Sequence, residues 1–171
     1  LLIDADMRRG FLRRYFKVEK KHLGLSDFLS GTTEHCIEHF PKEKIDVLFS
    51  GQFPPNPAEL LENPNFDDLL TTAEEFYDIV IVDAPPSLSV SDPTIIGQKV
   101  GMSMLVARHL VTTPGDIQAA IKTLTTSGVK LSGVILNQYD ESRSRYGRYG
   151  GKYYYSYGGY KYAYKTDKAS K

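Results

Sequence analysis

The chain has 171 residues, enough for one domain with a buried core. Its apolar and charged fractions, 41% and 25%, are those of an ordinary globular protein, and no apolar run is long enough to cross a membrane. The single cysteine, Cys36, excludes an internal disulfide and fits a reducing compartment. A net charge of zero hides an asymmetry, because residues 142–171 carry +7 (eight basic, one acidic) and the other 141 residues carry −7.

Short apolar runs alternate with helical stretches over residues 1–139, which is typical of an α/β fold with a parallel sheet covered by helices. Strands are predicted at residues 1–4, 46–49, 78–83, 102–107 and 131–137, of which DIVIVD at 78–83 is the clearest buried strand. Helices are predicted from Ser26 to near Gly31, after Asn56-Pro57, at 64–76, from Asp92-Pro93 to Gly97, and from Thr113-Pro114 to Gly128.

The last thirty-odd residues have a different composition. Nine of the twelve tyrosines lie between residues 146 and 164, interleaved with Gly, Lys, Arg, Ser and Ala and without Val, Ile or Leu. Such a segment cannot build a packed interior, so residues 140–171 are predicted to be a flexible tail. Phenol hydroxyls beside a nucleotide-type α/β domain suggest phosphoryl acceptors. The candidates are Tyr146, Tyr149, Tyr153, Tyr154, Tyr155, Tyr157, Tyr160, Tyr162 and Tyr164.

Acidic residues follow two of the predicted strands. LLIDAD ends on Asp4 and Asp6, and IVIVDAPP contains Asp83. In open parallel sheets ligands bind at the carboxyl ends of the strands, and carboxylates that meet there repel unless a cation or a proton lies between them. Mg²⁺ is the usual cation when the ligand is a phosphate. Taken singly, each acid is more often a turn residue or a helix cap.

The combination of motifs is more specific than any one of them. LLIDADMRRG, GQFPPNPAELL, IVIVDAPP, VILN and the tyrosine cluster occur in this order. Together they resemble the bacterial protein-tyrosine kinases (BY-kinases) of capsule and exopolysaccharide export. In that family the D-x-D-x-R strand end is the Walker A′ motif, matched by Asp4, Asp6 and Arg8, and Asp83 matches the Walker B aspartate. Residues 54–57 match the family's P-P-N-P loop.

One motif of that family is absent. The 171 residues contain no G-x-x-x-x-G-K-[ST] loop, which in the family lies just before the Walker A′ strand. The resemblance therefore implies a P-loop NTPase-like domain at residues 1–139 whose first strand, phosphate loop and following helix lie upstream of Leu1. The chain alone is expected to be an inactive part of the kinase.

The resemblance also implies roles for individual residues. Asp4 would lie beside Mg²⁺ and orient or deprotonate the incoming phenol, Asp6 would support the same region, and Asp83 would hold the metal through water. Arg8, with its neighbour Arg9, would neutralise phosphate charge or pair with Asp6. Asn137 matches an asparagine that reads adenine in related ATPases, or it is a turn residue at a strand end.

The implied function is an ATP- and Mg²⁺-dependent tyrosine autokinase that regulates polysaccharide polymerisation and export. The expected partners are further copies in a ring that phosphorylate one another, the export machinery and a tyrosine phosphatase, with no nucleic acid. The expected location is the cytoplasmic face of the bacterial inner membrane, as part of a membrane protein or bound to one.

Two other function classes fit parts of the sequence. A non-kinase ATPase of the partition or division-site class shares the strand-aspartate pattern but gives no reason for the tyrosines. A single-stranded nucleic-acid-binding protein could stack bases on the Tyr/Gly/Arg tail, but the acidic body argues against it. His35 and His39 in EHCIEH would lie one helical turn apart, without a further Cys or His nearby to complete a zinc site.

Overall fold

The computed structural model describes residues 1–18 and 22–140. Contacts divide the chain into two units, Leu1–Gln138 and Tyr139–Lys171, and only Tyr139 and Asp140 of the second are described. The predicted tail, with its nine candidate tyrosines, therefore lies outside the described residues apart from Asp140, and the domain division stays a prediction.

Helices and strands alternate through the first unit. In chain order they are β1 (Leu2–Asp4), α1 (Leu12–Phe16), α2 (Leu25–Leu29), β2 (Ile37–Phe40), β3 (Ile45–Leu48), α3 (Pro57–Glu62), α4 (Pro64–Phe76), β4 (Ile81–Asp83), α5 (Asp92–Lys99), β5 (Ser103–Arg108), α6 (Pro114–Thr126) and β6 (Leu131–Asn137).

The strands form two sheets in the described part of the chain. One has the order β2-β3-β1-β4, with β1 parallel to both neighbours and β2 antiparallel to β3. The other pairs β5 with β6 in parallel. The predicted α/β fold with a parallel sheet is confirmed, and β2 adds an antiparallel edge strand.

The main core lies on one face of the four-stranded sheet. Ile3 and Leu48 are fully buried there, and helices α2 to α5 contribute apolar side chains such as Leu25, Leu61 and Phe66. On the other face the rings of Phe16 and Phe49 contact each other with centroids 6.0 Å apart. Side chains alternate between the two faces, so neighbouring strand residues belong to different layers.

The prolines predict helix starts well. Helix α3 begins at Pro57 after Asn56, α4 runs over the predicted residues 64–76, and α6 begins at Pro114 after Thr113. In α6 the Thr113 hydroxyl accepts the Asp116 amide at 3.1 Å, and the Asp116 carboxylate accepts the Thr113 amide at 2.9 Å. Such reciprocal caps need only residues close in sequence, which explains why these starts could be predicted.

Three local predictions are wrong. DIVIVD pairs in a ladder only at Ile81–Asp83, and Ile79 and Ile81 are 69% and 57% exposed, because β4 is paired with β1 alone and the described residues leave one of its faces uncovered. EHCIEH is not helical, since His39 lies on β2, where pairing with β3 overrides the helical spacing. Ser26 is not the N-cap of α2; Gly24 is.

The amino end of α2 is fastened to the loop that follows β3. The Leu25 amide donates to the Phe49 carbonyl at 2.7 Å, and the Ser26 hydroxyl donates to the Gln52 carbonyl at 2.7 Å. The Asp27 carboxylate accepts the amides of Gly24 and Gln52 at 2.9 and 3.3 Å. These bonds fix the start of the GQFPPNP loop.

Gly51 allows this close approach. Its φ is +79°, and a Cβ there would lie 2.4 Å from Ser26 Oγ and 2.5 Å from Asp27 Oδ2. We expect Gly51→Ala to lower the free energy of unfolding by about 1–3 kcal/mol more than Gly31→Ala. Gly31 also has a left-handed φ, +75°, but faces open space, so it controls for backbone strain alone. Urea unfolding of both variants measures the difference, and equal losses would contradict the packing argument.

Candidate functional site

The two strands that end on acids are direct neighbours. Strands β1 and β4 are paired in parallel with Asp4 opposite Asp83, and the Ala5 amide donates to the Asp83 carbonyl at 2.8 Å. Residues opposite each other on neighbouring strands direct their side chains to the same face of the sheet. The structure therefore brings Asp4 and Asp83 together, as the sequence predicts.

Asp4 is fully buried, and its carboxyl group is only half satisfied. Oδ1 accepts the Asp6 amide at 3.2 Å, whereas Oδ2 has no hydrogen-bond partner among the described residues. Burial raises the pKa of Asp4 to about 6, and the charges of Asp83 and Asp6 add to the rise. The bonded amide of Asp6 opposes it, as does the Leu12 amide, which favours the charged form without making a hydrogen bond to Oδ2. A buried carboxylate oxygen without a partner is costly unless a proton or cation reaches it.

The pKa of Asp83 is raised as well. Asp83 is exposed as a residue, but partial desolvation of its carboxyl group raises its pKa, and the charge of Asp6 adds to the rise. The two strand-end carboxyls are thus both less willing to ionise than an isolated aspartate.

Asp6 organises the turn that follows β1. Its Oδ1 accepts the amides of Arg8 and Arg9 at 3.1 and 3.0 Å, and its carbonyl accepts the Gly10 amide at 2.8 Å. The turn brings Gly10 against Asp4, since a Cβ on Gly10 would lie 3.6 Å from Asp4 Oδ2 and 2.2 Å from Ser50 Oγ. Asp6 is therefore tied to Asp4 through the backbone of this turn.

The Arg8 guanidinium bonds a residue that the sequence did not suggest as its partner. Its Nε and Nη2 each donate to the Asp92 carboxylate at 3.1 Å, and Asp92 is fully buried at the first residue of α5. The bond to Asp92 raises the pKa of Arg8. Toward Asp6, Arg8 uses its main-chain amide, so its role as a phosphate ligand stays a prediction.

Asn137 lies apart from the acids in the sheet topology. It ends β6 in the two-stranded sheet, paired with Arg108. Its side-chain oxygen accepts the amide of Gln138 at 2.8 Å, and Gln138 has a left-handed φ of 52°. This bond is the local contact expected of a turn residue, while adenine recognition stays a prediction.

The residues that the structure describes contain no cluster of three or more His, Cys, Asp or Glu side chains arranged to hold a metal. His39 instead bonds Asp46, with Nδ1 and Oδ1 2.5 Å apart. Mg²⁺ does not need such a cage, because it takes one or two carboxylates and fills its other positions with water and phosphate. The unsatisfied Asp4 Oδ2 beside Asp83 fits that requirement.

A cavity of about 360 Å³ lies at the other end of the sheet. Its lining includes Leu1 at the amino end of β1, Asp46 on β3 and Tyr77 after α4. The Tyr77 hydroxyl donates to Asp46 at 2.7 Å, and burial together with this bond raises the pKa of Tyr77 to about 12. The cavity is thus separate from the strand-end acids.

Within the described part of the chain no helix is long and apolar enough to span a membrane.

Asp92 and Ser50 are the polar residues at this site that sequence reasoning missed. Asp92-Pro93 is an ordinary helix start, which hides a bond to a residue 84 positions away. Ser50 follows a strand and is buried beside Gly10. Neither carries a local signal that distinguishes it from a cap or a turn residue.

Comparisons with known proteins agree on one family. No family model matches the chain. The tyrosine-protein kinase etk of Escherichia coli strain K12 is 45% identical over 139 residues, which are 80% of this chain and 19% of that protein. The solved kinase domain of Escherichia coli tyrosine kinase ETK superimposes with a TM-score of 0.78 at 42% identity, over 91% of this chain and 59% of that one. The VpsO kinase domain gives a TM-score of 0.77 at 31% identity, over 81% of this chain and 70% of that one. The chain spans about a fifth of the length of the curated relatives it matches.

The raised pKa of Asp4 predicts a pH-dependent loss of stability in the absence of divalent cations. Below about pH 3 the carboxyl is protonated in both the folded and the unfolded chain, and between the ordinary pKa of 3.8 and the folded pKa of about 6 the unfolded chain loses the proton first. We expect Asp4→Asn to be nearly neutral at about pH 3 and to stabilise the protein by on the order of 2–3 kcal/mol at about pH 7. Urea unfolding across this range measures the difference.

Asp116→Asn is the matched control, for which we expect the opposite effect on stability at neutral pH. Hydrogen bonds from Thr113 lower the pKa of Asp116, so its contribution is present above its ordinary pKa and is lost as the pH falls. This variant should therefore be less stable than the parent at neutral pH. An Asp4→Asn effect that does not change with pH would contradict the ionisation argument.

Proposed function

Since the chain belongs to the bacterial protein-tyrosine kinases, we propose that it supplies the acid-bearing part of a kinase site that transfers the γ-phosphoryl group of ATP to tyrosine hydroxyls. The observation that carries the proposal is the pairing of Asp4 with Asp83 at adjacent strand ends, with one buried Asp4 oxygen left without a partner. A site of this kind suits a cation and an incoming hydroxyl.

The three acids are proposed to have different roles. Asp4 presents Oδ2, which can accept a hydrogen bond or a proton from a phenol or bind a metal directly. Asp83, which is more exposed, would hold Mg²⁺ through water, and Asp6 would keep Asp4 oriented through its amide. Bound Mg²⁺ would neutralise negative charge on the phosphates, which the acids alone cannot do.

The nucleotide contacts are proposed to come from more than these acids. Family membership supports nucleotide use, and ATP with Mg²⁺ is the proposed form. Asn137 is the proposed adenine contact. The expected role of Arg8 in neutralising phosphate charge would require its guanidinium to leave Asp92.

The proposed acceptors are the tail tyrosines, of this chain or of a neighbouring copy. Residues 142–171 carry +7 and the body −7, so a tail can dock on the acidic body. Each phosphotyrosine adds about −1.5 to −2 charges, so phosphorylation would weaken that docking. We place this kinase at the cytoplasmic face of the inner membrane, acting with the polysaccharide polymerisation and export machinery and with a tyrosine phosphatase.

In the full-length protein, Asp4→Asn and Asp83→Asn should each abolish tyrosine phosphorylation while the fold survives. Each change keeps the side chain's size and removes the charge proposed to hold the metal. Phosphotyrosine blotting and phosphate incorporation from labelled ATP measure the effect. Asp46→Asn is the matched control and should leave phosphorylation unchanged, because Asp46 lies on the same sheet at its opposite end.

Near-normal phosphorylation in Asp4→Asn or Asp83→Asn at ordinary Mg²⁺ would remove that residue from the site. ATP hydrolysis by the parent without any phosphotyrosine would instead indicate the non-kinase ATPase class.

Transfer between copies can be tested by mixing two full-length proteins. One carries Asp4→Asn with an intact tail, and the other is active but truncated after Tyr139. Phosphate should appear on the Asp4→Asn partner, and sedimentation should show smaller species as it accumulates, because the tails lose their positive charge. An unmodified Asp4→Asn partner would mean that transfer occurs within one chain.

A further inference from the structure

The bond between Arg8 and Asp92 joins two segments far apart in sequence. Both guanidinium contacts are 3.1 Å, Asp92 is fully buried, and the Arg8 side chain is 35% exposed. The guanidinium is planar, and two of its nitrogens each bond one carboxylate oxygen. This contact therefore fixes the orientation of the two groups as well as the distance between them. The Arg8 side chain is thereby held in one direction relative to α5.

The backbone of Arg8 belongs to the turn after β1, whose amides bond the side chains of Asp6 and Asp4. Its amide donates to Asp6 Oδ1, and the Asp6 amide in turn donates to Asp4 Oδ1. A chain of three contacts therefore runs from the Asp92 carboxylate to the Asp4 carboxylate, through the Arg8 side chain and the turn. Movement of Arg8 would shift the amides that orient Asp6 and Asp4.

The Asp92 end of this chain is anchored in the core. Asp92 begins α5, whose Ile95 and Ile96 are buried in the main core cluster. The loop of residues 84–91 leaves β4 at Asp83 and ends at Asp92, so the bond also ties the loop after β4 to the turn after β1. The segments that follow the two acid-bearing strands are thus both tied to Asp92.

From this geometry we propose that Asp92 is a positioning residue, which acts through Arg8 to hold the turn that orients Asp6 and Asp4. The inference rests on the proposed kinase function for its catalytic consequence. It assigns Arg8 a role that differs from binding phosphate charge. A buried ion pair often adds little net stability, so the value of this pair lies in its two-point geometry.

The first test separates geometry from charge in the full-length protein. Arg8→Lys keeps the positive charge but loses the planar guanidinium that bonds both oxygens. Asp92→Asn keeps the side chain's shape but loses the negative charge. If the pair positions the acids, both variants lower kcat by about tenfold to a hundredfold at saturating ATP and Mg²⁺. If Arg8 instead binds phosphate, Arg8→Lys retains most of kcat and Asp92→Asn frees the guanidinium, so kcat is kept or rises. That second result overturns the proposal.

The second test separates positioning from stability. The double variant Arg8→Met with Asp92→Leu replaces both members of the pair by apolar residues of similar size, so it leaves no buried polar group unpaired and should melt close to the parent. Amide hydrogen exchange of residues 6–10, measured without nucleotide, should still be about tenfold faster than in the parent because the turn has lost its anchor. A double variant that recovers the parent's slow exchange and kcat would show that the pair is only structural.

Asp67→Asn is the matched control for losing an ion pair on the same helix. Lys99 near the end of α5 bonds the Asp67 carboxylate at 2.6 Å, away from the acid-bearing turn. This variant should leave exchange at residues 6–10 and kcat unchanged. If the parent transfers no phosphate to tyrosine, the proposed kinase function fails, and the exchange measurement still judges the positioning role on its own.

Discussion

The in-register parallel pairing of β1 with β4 is the constraint on which the rest of the site depends. It sets Asp4 opposite Asp83 at the same edge of the sheet. The register is fixed by apolar packing, because a shift of one residue would turn the buried Ile3 away from the core. Hydrophobic burial thus places two acidic side chains next to each other.

The sequence predicts those features whose causes are local. Strand ends, prolines and capping residues act over a few positions, so β1, α4 and the start of α6 are recovered. The acids could be predicted to meet because parallel strands share an edge. The pairing of Arg8 with Asp92 could not be predicted, since nothing near either residue distinguishes a long-range partner from a surface charge or a helix cap.

Strand β4 shows how an apolar run can mislead about burial. DIVIVD is apolar at positions directed to both faces, which predicts cover on both. In the described residues Val82 packs against the core, while Ile79 and Ile81 on the alternate positions are exposed. The run correctly indicates a strand, but burial depends on which elements lie against each face, and the sequence of this strand alone does not identify them.

The acid cluster is a place where local energetics oppose the rest of the fold. A buried carboxyl whose pKa is raised to about 6, with one oxygen lacking a partner, is less stable when ionised than it would be in water. The fold tolerates this because backbone pairing, the Asp6 turn and the Arg8–Asp92 contact hold the acid-bearing segments from three sides. A ligand that supplies positive charge, or a hydroxyl that donates a hydrogen bond, would satisfy the buried Asp4 oxygen and remove this cost. The contacts around the acids and the unsatisfied oxygen of Asp4 are therefore two parts of one arrangement, because those contacts keep the two carboxyls beside each other.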